Sequence, residues 1–252
     1  MYLSIIIPAY NEEKRLPGTL TDIDNYFKKQ NYDYEILVVE NGSTDKTAEI
    51  VKKLSIQIKG LKLIEGSNKG GKGSAVKRGM LEAVGDYRIF TDADNSTTID
   101  QIERMWPYFK GTCPETVEGF DIVIGSRDIK GAVLDPPQPW LRQIILGEGF
   151  KLYRKLIIGL WNLADTQCGF KGFTKKAAED VFPKSIISHF SFDPEILIIG
   201  KIMGYKIKEI PIVWKNDLGS KVKPSSMISM AVDLLKIRLN LLKGIYGEKK
   251  QK

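Results

Sequence analysis

The chain has 252 residues, 42% hydrophobic and 27% charged, an ordinary composition for a soluble globular protein with an ample core in one large domain or two small ones. No apolar run approaches the ~18 residues that cross a bilayer, which excludes a spanning helix from these residues. The formal net charge of +7 suits an anionic membrane face or a phosphate-bearing substrate; without zinc-finger spacing or an RNP-like aromatic motif, nucleic acid is not expected as a partner.

Leu3-Ser4-Ile5-Ile6-Ile7 is a near-continuous β-branched run, the pattern of a strand buried on both faces, and Pro8 is expected to end it. It starts so close to Met1 that no cleavable signal is expected. A helical pattern then opens at Asn11-Glu12-Glu13 and runs to about Lys29, with Pro17 in an early turn. Tyr34–Val39 reads as a second buried strand. Glu40-Asn41-Gly42-Ser43-Thr44-Asp45 is a turn that caps a helix from Lys46 to about Leu54, and Leu61–Ile64 is a third strand. Ser67 to Ala75 holds Gly70, Gly71 and Gly73 with Lys69 and Lys72, ahead of a helix running to about Val84. Glycine-rich backbone at a helix start presents N–H groups to phosphate; the other use of such a segment is a solvated loop, and the Walker A ending is missing.

Tyr87–Thr91 is a fourth strand. It ends at Asp92-Ala93-Asp94, where two carboxylates one residue apart repel each other unless a cation lies between them. A hard divalent ion answers that need, and a simple turn is the other reading. Ile99–Phe109 reads as helical, Cys113–Gly119 as a polar connector, and Asp121–Gly125 as a fifth strand followed by Ser126-Arg127. The alternation predicts a parallel, Rossmann-like sheet, in which ligands bind outside the carboxyl ends of strands. Pro8–Glu12, Glu40–Asp45, Asp92–Asp94 and Arg127 all follow strand ends and should converge on one edge.

The second half differs in character. Asp135-Pro136-Pro137-Gln138-Pro139 reads as a stiff extended linker, and Trp140–Ala164 as one or two helices with basic residues at Arg142, Lys151, Arg154 and Lys155. Such a helix lies in a membrane interface or serves as a core helix with a wet stripe. Asp165–Lys171 is a short polar segment, and Phe190–Glu195 opens a helix to about Met203. Ile207–Trp214 is a strand broken by Pro211, hence an edge, and Asn216–Pro224 is a loop. Ser226–Tyr246 is a long helix whose wide apolar face must be covered by protein, a partner chain or lipid, and a basic tail follows. Cys113 and Cys168 have no metal-ligand spacing, and a reduced cytosolic state is the default; His189 has no partner motif and reads as structural.

Ile7-Pro8-Ala9-Tyr10-Asn11-Glu12, Val39-Glu40-Asn41-Gly42-Ser43-Thr44-Asp45, Gly70-Gly71-Lys72-Gly73 and Thr91-Asp92-Ala93-Asp94, in this order, resemble the family-two glycosyltransferases of GT-A fold. Asp165–Lys171, Phe192-Asp193-Pro194-Glu195 and Trp214 through Gly219-Ser220-Lys221 extend the likeness, which is greatest to the dolichyl-phosphate glucosyltransferase and dolichol-phosphate mannose synthase group. The resemblance implies a mostly parallel central sheet flanked by helices, with amphipathic helices in the C-terminal half. It implies a GT-A catalytic domain over 1–224, with a nucleotide-sugar half at 1–130 and an acceptor half at 131–224, then an amphipathic helix and basic tail over 225–252.

The implied reaction is inverting transfer of a hexose from a nucleotide sugar, by likeness UDP-glucose, to dolichyl or polyprenyl phosphate, with Mg²⁺ or Mn²⁺. The alternatives are a GDP-mannose donor, a non-lipid acceptor, or a binding protein without catalysis. Pro8, Tyr10, Glu12 and Glu40 would hold base and ribose, Glu40 standing where the family often has Asp. Gly42, Lys69, Lys72, Asp92, Ala93 and Asp94 complete the implied nucleotide-sugar site, with Asp92 and Asp94 on the metal. Arg127, Arg142 and Lys221 would face the acceptor, and Asp94, Arg127, Asp165 and Asp193 are the catalytic candidates. Many relatives carry transmembrane helices that this chain lacks, so Trp140–Ala164 and Ser226–Tyr246 are expected to dock it peripherally on the cytoplasmic leaflet, or else to form a homo-oligomer interface.

Overall fold

The computed structural model describes residues 1–66, 70–113, 118–136, 148–215 and 224–247, without the side chains of 224–227. Strands Leu3–Ala9 (β1), Tyr34–Glu40 (β2), Leu61–Glu65 (β3) and Tyr87–Phe90 (β4) alternate with helices Leu16–Phe27 (α1), Thr47–Leu54 (α2) and Lys72–Glu82 (α3). A 3₁₀ turn, Ile99–Arg104, runs into the short helix Trp106–Phe109 (α4), and Ile122–Ser126 is β5. Then come Val133–Asp135 (β6), Gly149–Ile158 (α5), Lys171–Thr174 (β7), Lys175–Val181 (α6), Phe192–Ile202 (α7), Ile207–Pro211 (β8), Val213–Lys215 (β9) and Pro224–Leu242 (α8).

Among the described residues, seven strands form one sheet in the order β3-β2-β1-β4-β7-β5-β8, and β6 pairs with β9 in a separate ribbon. Every pairing is parallel except those of β7, which runs antiparallel to both β4 and β5. The mostly parallel sheet expected from the alternation is therefore present. Both of its faces are covered, which is why the central strands β1 and β2 read as near-continuous apolar runs. Ile6, Leu37, Val39 and Phe90 point to one core, while Ile5, Ile7, Ile36, Val38 and Ile89 point to the other. The first of these cores takes in Ile196, Leu234 and Tyr246 from the far end of the chain.

Several boundaries differ from the sequence reading. β1 continues through Pro8 to Ala9. Ile6 turns its carbonyl towards the β4 side, where it accepts from the Thr91 N–H, and Pro8 shares that side two residues on. β4 has already ended there, so no ladder bond needs the N–H that proline lacks. The long C-terminal helix stops at Leu242 and the helix before Asp165 at Ile158, because Gly244 (φ 67°) and Gly159 (φ 73°) take left-handed conformations that cap them. β6, β7 and α6 were not anticipated. β7 has four residues, opens on a lysine and holds one large apolar side chain, so its composition carries no strand signal. β8 is the sheet edge and ends on Pro211, as the proline implied.

The order of connections reverses between β1 and β4, since the chain moves outward through β2 and β3 before α3 returns it to the other side of β1. Open parallel sheets leave a ligand crevice at such a point, outside the carboxyl ends of the strands.

Candidate functional site

The loops after β1 and β2 are laced together. Asn11, in a left-handed conformation (φ 53°), donates its N–H to Ser43 Oγ (3.0 Å) and accepts at Oδ1 from the Thr44 N–H (2.8 Å). The Glu12 N–H donates to Thr47 Oγ1 (2.9 Å), and the Glu13 N–H to Asp45 (3.1 Å). The buried Glu40 carboxylate accepts from the Ser43 N–H across the turn at Gly42, whose φ of 78° suits glycine. Pro8 is half-buried at the end of β1, and Tyr10 is 51% exposed on the rim.

Asp92, Ala93 and Asp94 lie beside these loops. The Ala93 carbonyl accepts from Thr19 Oγ1 on α1 (2.8 Å), and Asn95 (φ 56°) donates to Asp22 (2.7 Å), so α1 fixes the turn. Glu12 holds Arg15 through two bonds of 2.7 Å, and the Arg15 charge in turn stabilises the Asp94 carboxylate. Asp94 also accepts from the Ser96 N–H (3.0 Å). Burial, then the neighbouring Asp92 charge, still raise the Asp94 carboxyl above its ordinary value.

Asp92 forms an ion pair with Lys72, the first residue of α3. Burial alone would depress the Lys72 ammonium, but Asp92, Asp193 and Asp94 together hold it above its ordinary value. The glycines ahead of it serve close approach. A Cβ on Gly71 would strike His189 and the Ser188 carbonyl, and one on Gly73 would strike Phe192. The Ser74 N–H donates to the Ser188 carbonyl (3.1 Å). This packing sets the start of α7, with Asp193, beside Lys72.

The segment before β7 closes the site. Gly169 presses on the Asp92 carboxylate so tightly that any Cβ would overlap it. The buried Lys171 ammonium meets Asp193 at 2.5 Å and also the Cys168 carbonyl. Burial raises the Asp193 carboxyl, against the pull of Lys171 and Lys72, and it pushes the Cys168 thiol up to about 12. Asp165, 3% exposed, binds Arg127 through Nε (2.7 Å), Nη2 (3.0 Å) and the backbone N–H (3.2 Å). Burial opposes that charge, but the guanidinium holds the Asp165 carboxyl far below the usual carboxylate range. Arg127 also lies over the Trp214 ring, 5.3 Å from its centroid.

Pro8, Tyr10, Glu12, Glu40, Gly42, Lys72, Asp92, Ala93, Asp94 and Asp193 thus belong to one connected set of loops, and Arg127 and Asp165 form a tight pair on the adjoining segment. Lys69, Arg142 and Lys221 lie outside the described residues. Three residues of the network went unread in sequence. Arg15 had one signal, its i+3 spacing from Glu12; Lys171 had only its place at the end of the Asp165–Lys171 motif; and Glu209, which accepts from the Ala164 (2.8 Å) and Asp165 (2.9 Å) N–H groups, had none, because the edge strand β8 brings it in. Among the described residues, no cluster of three or more His, Cys, Asp or Glu side chains is arranged to hold a metal. Asp92 and Asp94 form a two-carboxylate donor set, which fits a hard divalent ion that completes its shell with water and phosphate oxygens.

Residues 4–182 match the family model described as glycosyl transferase family 2. The chain is 36% identical over 245 residues to dolichyl-phosphate beta-glucosyltransferase ALG5A of Trichomonas vaginalis, covering 95% of this chain and 73% of that protein. It is 34% identical over 266 residues to the dolichyl-phosphate beta-glucosyltransferase of Saccharomyces cerevisiae, covering 100% and 78%. Among solved structures, mannosyl-3-phosphoglycerate synthase from Rubrobacter xylanophilus superposes with a TM-score of 0.66 at 16% identity, over 96% of this chain and 74% of that one. Glucosyl-3-phosphoglycerate synthase from Mycobacterium tuberculosis, in complex with Mn²⁺, UDP and glucosyl-3-phosphoglycerate, does so with a TM-score of 0.62 at 16% identity, over 99% and 81%. Shared architecture at the level of structure, and similarity in sequence along nearly the whole chain, place this protein in glycosyl transferase family 2, with the GT-A fold.

Proposed function

We propose that this glycosyltransferase moves glucose from UDP-glucose to dolichyl or another polyprenyl phosphate, with inversion at the anomeric carbon. The relatives' names supply the donor sugar and acceptor class, and the Asp92–Lys72 pair at the switch point supplies the chemistry. In this reading residues 1–130 bind the nucleotide sugar, with Pro8, Tyr10, Glu12, Glu40 and Gly42 around base and ribose, and residues 131–224 bind the acceptor.

Asp92 and Asp94 would hold Mg²⁺ or Mn²⁺; a protein of the same fold, glucosyl-3-phosphoglycerate synthase, has been crystallised with Mn²⁺ and UDP. Such an ion, when bound, neutralises charge on the departing diphosphate. Lys72 exchanges Asp92 for diphosphate oxygens and stabilises the same charge. An acceptor phosphate oxygen attacks the anomeric carbon from the face opposite the leaving group. The new carbon–oxygen bond forms as the bond to the diphosphate breaks, and the electron pair leaves with the nucleotide. The attacking oxygen is already anionic at neutral pH, so no general base is required. Asp165, tied to Arg127, positions that guanidinium for a phosphate and takes no proton.

The protein works, in this reading, at the cytoplasmic face of a membrane; no described helix is long and apolar enough to cross one. Leu152 and Leu156 on α5, Trp161 just beyond it, and Ile228, Val232, Leu235, Leu239 and Leu242 along α8 are exposed. Those on α8 recur at spacings of four and three, which makes one continuous stripe. Lys236, Arg238 and Lys243 are exposed nearby and suit anionic headgroups better than a second copy carrying the same charges.

The test is a screen of labelled UDP-glucose and GDP-mannose against polyprenyl phosphate, with Mg²⁺, Mn²⁺ or chelator, followed by lipid extraction. Label from UDP-glucose entering the lipid phase only with metal supports the reading. Transfer from GDP-mannose, transfer to a water-soluble acceptor alone, or metal-independent transfer each removes the corresponding part of it.

A further inference from the structure

α5 carries two unlike faces. Leu152 and Leu156 are exposed, whereas Lys151 and Arg154, one turn apart, serve the chain around Asp128 and Asp165. Lys151 pairs with Asp128 at 2.8 Å. Arg154 is 1% exposed, and its Nη2 donates to the carbonyls of Leu163 (2.9 Å) and Ala164 (3.4 Å). Its Nε and Nη1 meet no acceptor among the described residues. Burial pushes this guanidinium below its ordinary value, although Asp165, Glu209 and Asp128 act in the other direction from a distance.

A buried cation with two idle N–H-bearing nitrogens is expensive, and a native chain that retains one calls for a reason. The surrounding backbone is held rigidly. Glu209 accepts from the N–H groups of Ala164 (2.8 Å) and Asp165 (2.9 Å), while Arg154 takes the carbonyls just before them. On the same segment the Gln167 side-chain amide nitrogen also meets no acceptor among the described residues. The idle atoms here are all donors, so the missing group is rich in acceptors, and arginine is the side chain best suited to phosphate.

We propose that Arg154 binds the phosphate of the acceptor, whose prenyl chain runs out over the exposed Leu152 and Leu156. The assignment rests on the lipid-phosphate acceptor proposed above. It places a phosphate contact on the inner face of the same helix that offers an apolar outer face.

The experiment compares wild type, Arg154→Met and Arg154→Lys by thermal unfolding with inorganic phosphate and with farnesyl phosphate, and by steady-state kinetics. Wild type should be stabilised by both ligands, and Arg154→Met should lose that response. Its KM for the prenyl phosphate should rise about tenfold or more, from loss of a charge-assisted contact, with the donor KM unchanged. Arg154→Lys, which keeps the charge but not the planar donor set, should fall between. A merely structural arginine predicts the reverse pattern: Arg154→Met, relieved of idle donors, would be at least as stable as wild type and keep its ligand response and acceptor KM. That result overturns the proposal, as does a wild type that responds to neither ligand. Should Arg154→Met not fold, a lysine variant with the wild-type response and acceptor KM overturns it equally. The thermal response needs no turnover. A wild type that transfers no sugar yet keeps an Arg154-dependent response to farnesyl phosphate counts against the function and leaves the phosphate site standing.

Discussion

Gly169 and Lys72 together define where the Asp92 carboxylate can sit, one by leaving no room behind it and the other by charge in front. Gly169→Ala forces a methyl group into that carboxylate. Displacement of a reacting group by about 1 Å can cost about 10²-fold in rate. We expect a loss of that order in kcat with little change in Tm, read from initial rates and thermal unfolding. Asp165 and Arg127 make a different residue-level prediction. The Asp165 carboxyl lies below its unfolded value of about 3.9, so its contribution to stability is complete above that value and is lost as pH falls through its depressed folded value. Asp165→Asn leaves a partly buried guanidinium without its charged partner, at a cost of about 1–3 kcal/mol near neutrality. The Tm curves of wild type and variant should converge as the pH drops, because protonation removes the same pair from the wild type.

At the scale of elements, α3, α7 and α8 hold one another at the site. The glycine-rich start of α3 rests on residues 187–192 at the start of α7. Glu195, one turn into α7, accepts from the N–H groups of Ile186 (3.0 Å) and Ile187 (2.9 Å) and from the Tyr246 hydroxyl (2.7 Å), just beyond α8. Ser191 donates to the Met230 carbonyl of α8 (3.3 Å). The turn after α8 therefore braces the segment that positions Lys72. Tyr246→Phe keeps the ring and deletes the donor to a buried carboxylate. We expect a loss of about 1–3 kcal/mol in denaturant unfolding.

For the whole molecule, the apolar stripe on α8 is a surface, whereas Leu234 and Ile237 of the same helix are core. Substitutions on the stripe should therefore separate lipid binding from stability. Leu235 and Leu239 are 46% and 54% exposed, so each contributes roughly 1 kcal/mol to burial in lipid. Leu235→Ser with Leu239→Ser should lower sedimentation with anionic vesicles and transfer to vesicle-borne acceptor, while Tm and activity on a short soluble prenyl phosphate stay near wild type. Vesicle binding by the wild type should also weaken with salt. A protein that ignores vesicles and salt, and instead dimerises through this stripe, removes the membrane reading.

The sequence by itself determined the parallel half of the sheet and brought the loops of the candidate site to one edge of it. Strands buried on both faces are mostly apolar, as β1, β2 and β5 are apart from the hydrogen-bonded Ser4 and Glu35, and ligand sites at their carboxyl ends follow from connectivity; hence Asp92 and Asp94 were legible beside Pro8–Glu12 and Glu40–Asp45. Only the tertiary structure decided the rest. Lys171 can be buried because Asp193 waits for it, and β7 exists because β4 and β5 leave a slot between them. Neither fact leaves a local pattern, since the partner that makes each favourable is distant in the chain. α8 shows the same limit: Asp233 is buried and pairs with Lys236, while Ile228, Val232, Leu235 and Leu239 of the wide apolar face stay exposed, because periodicity tells which residues share a side of a helix and packing alone tells which side faces in.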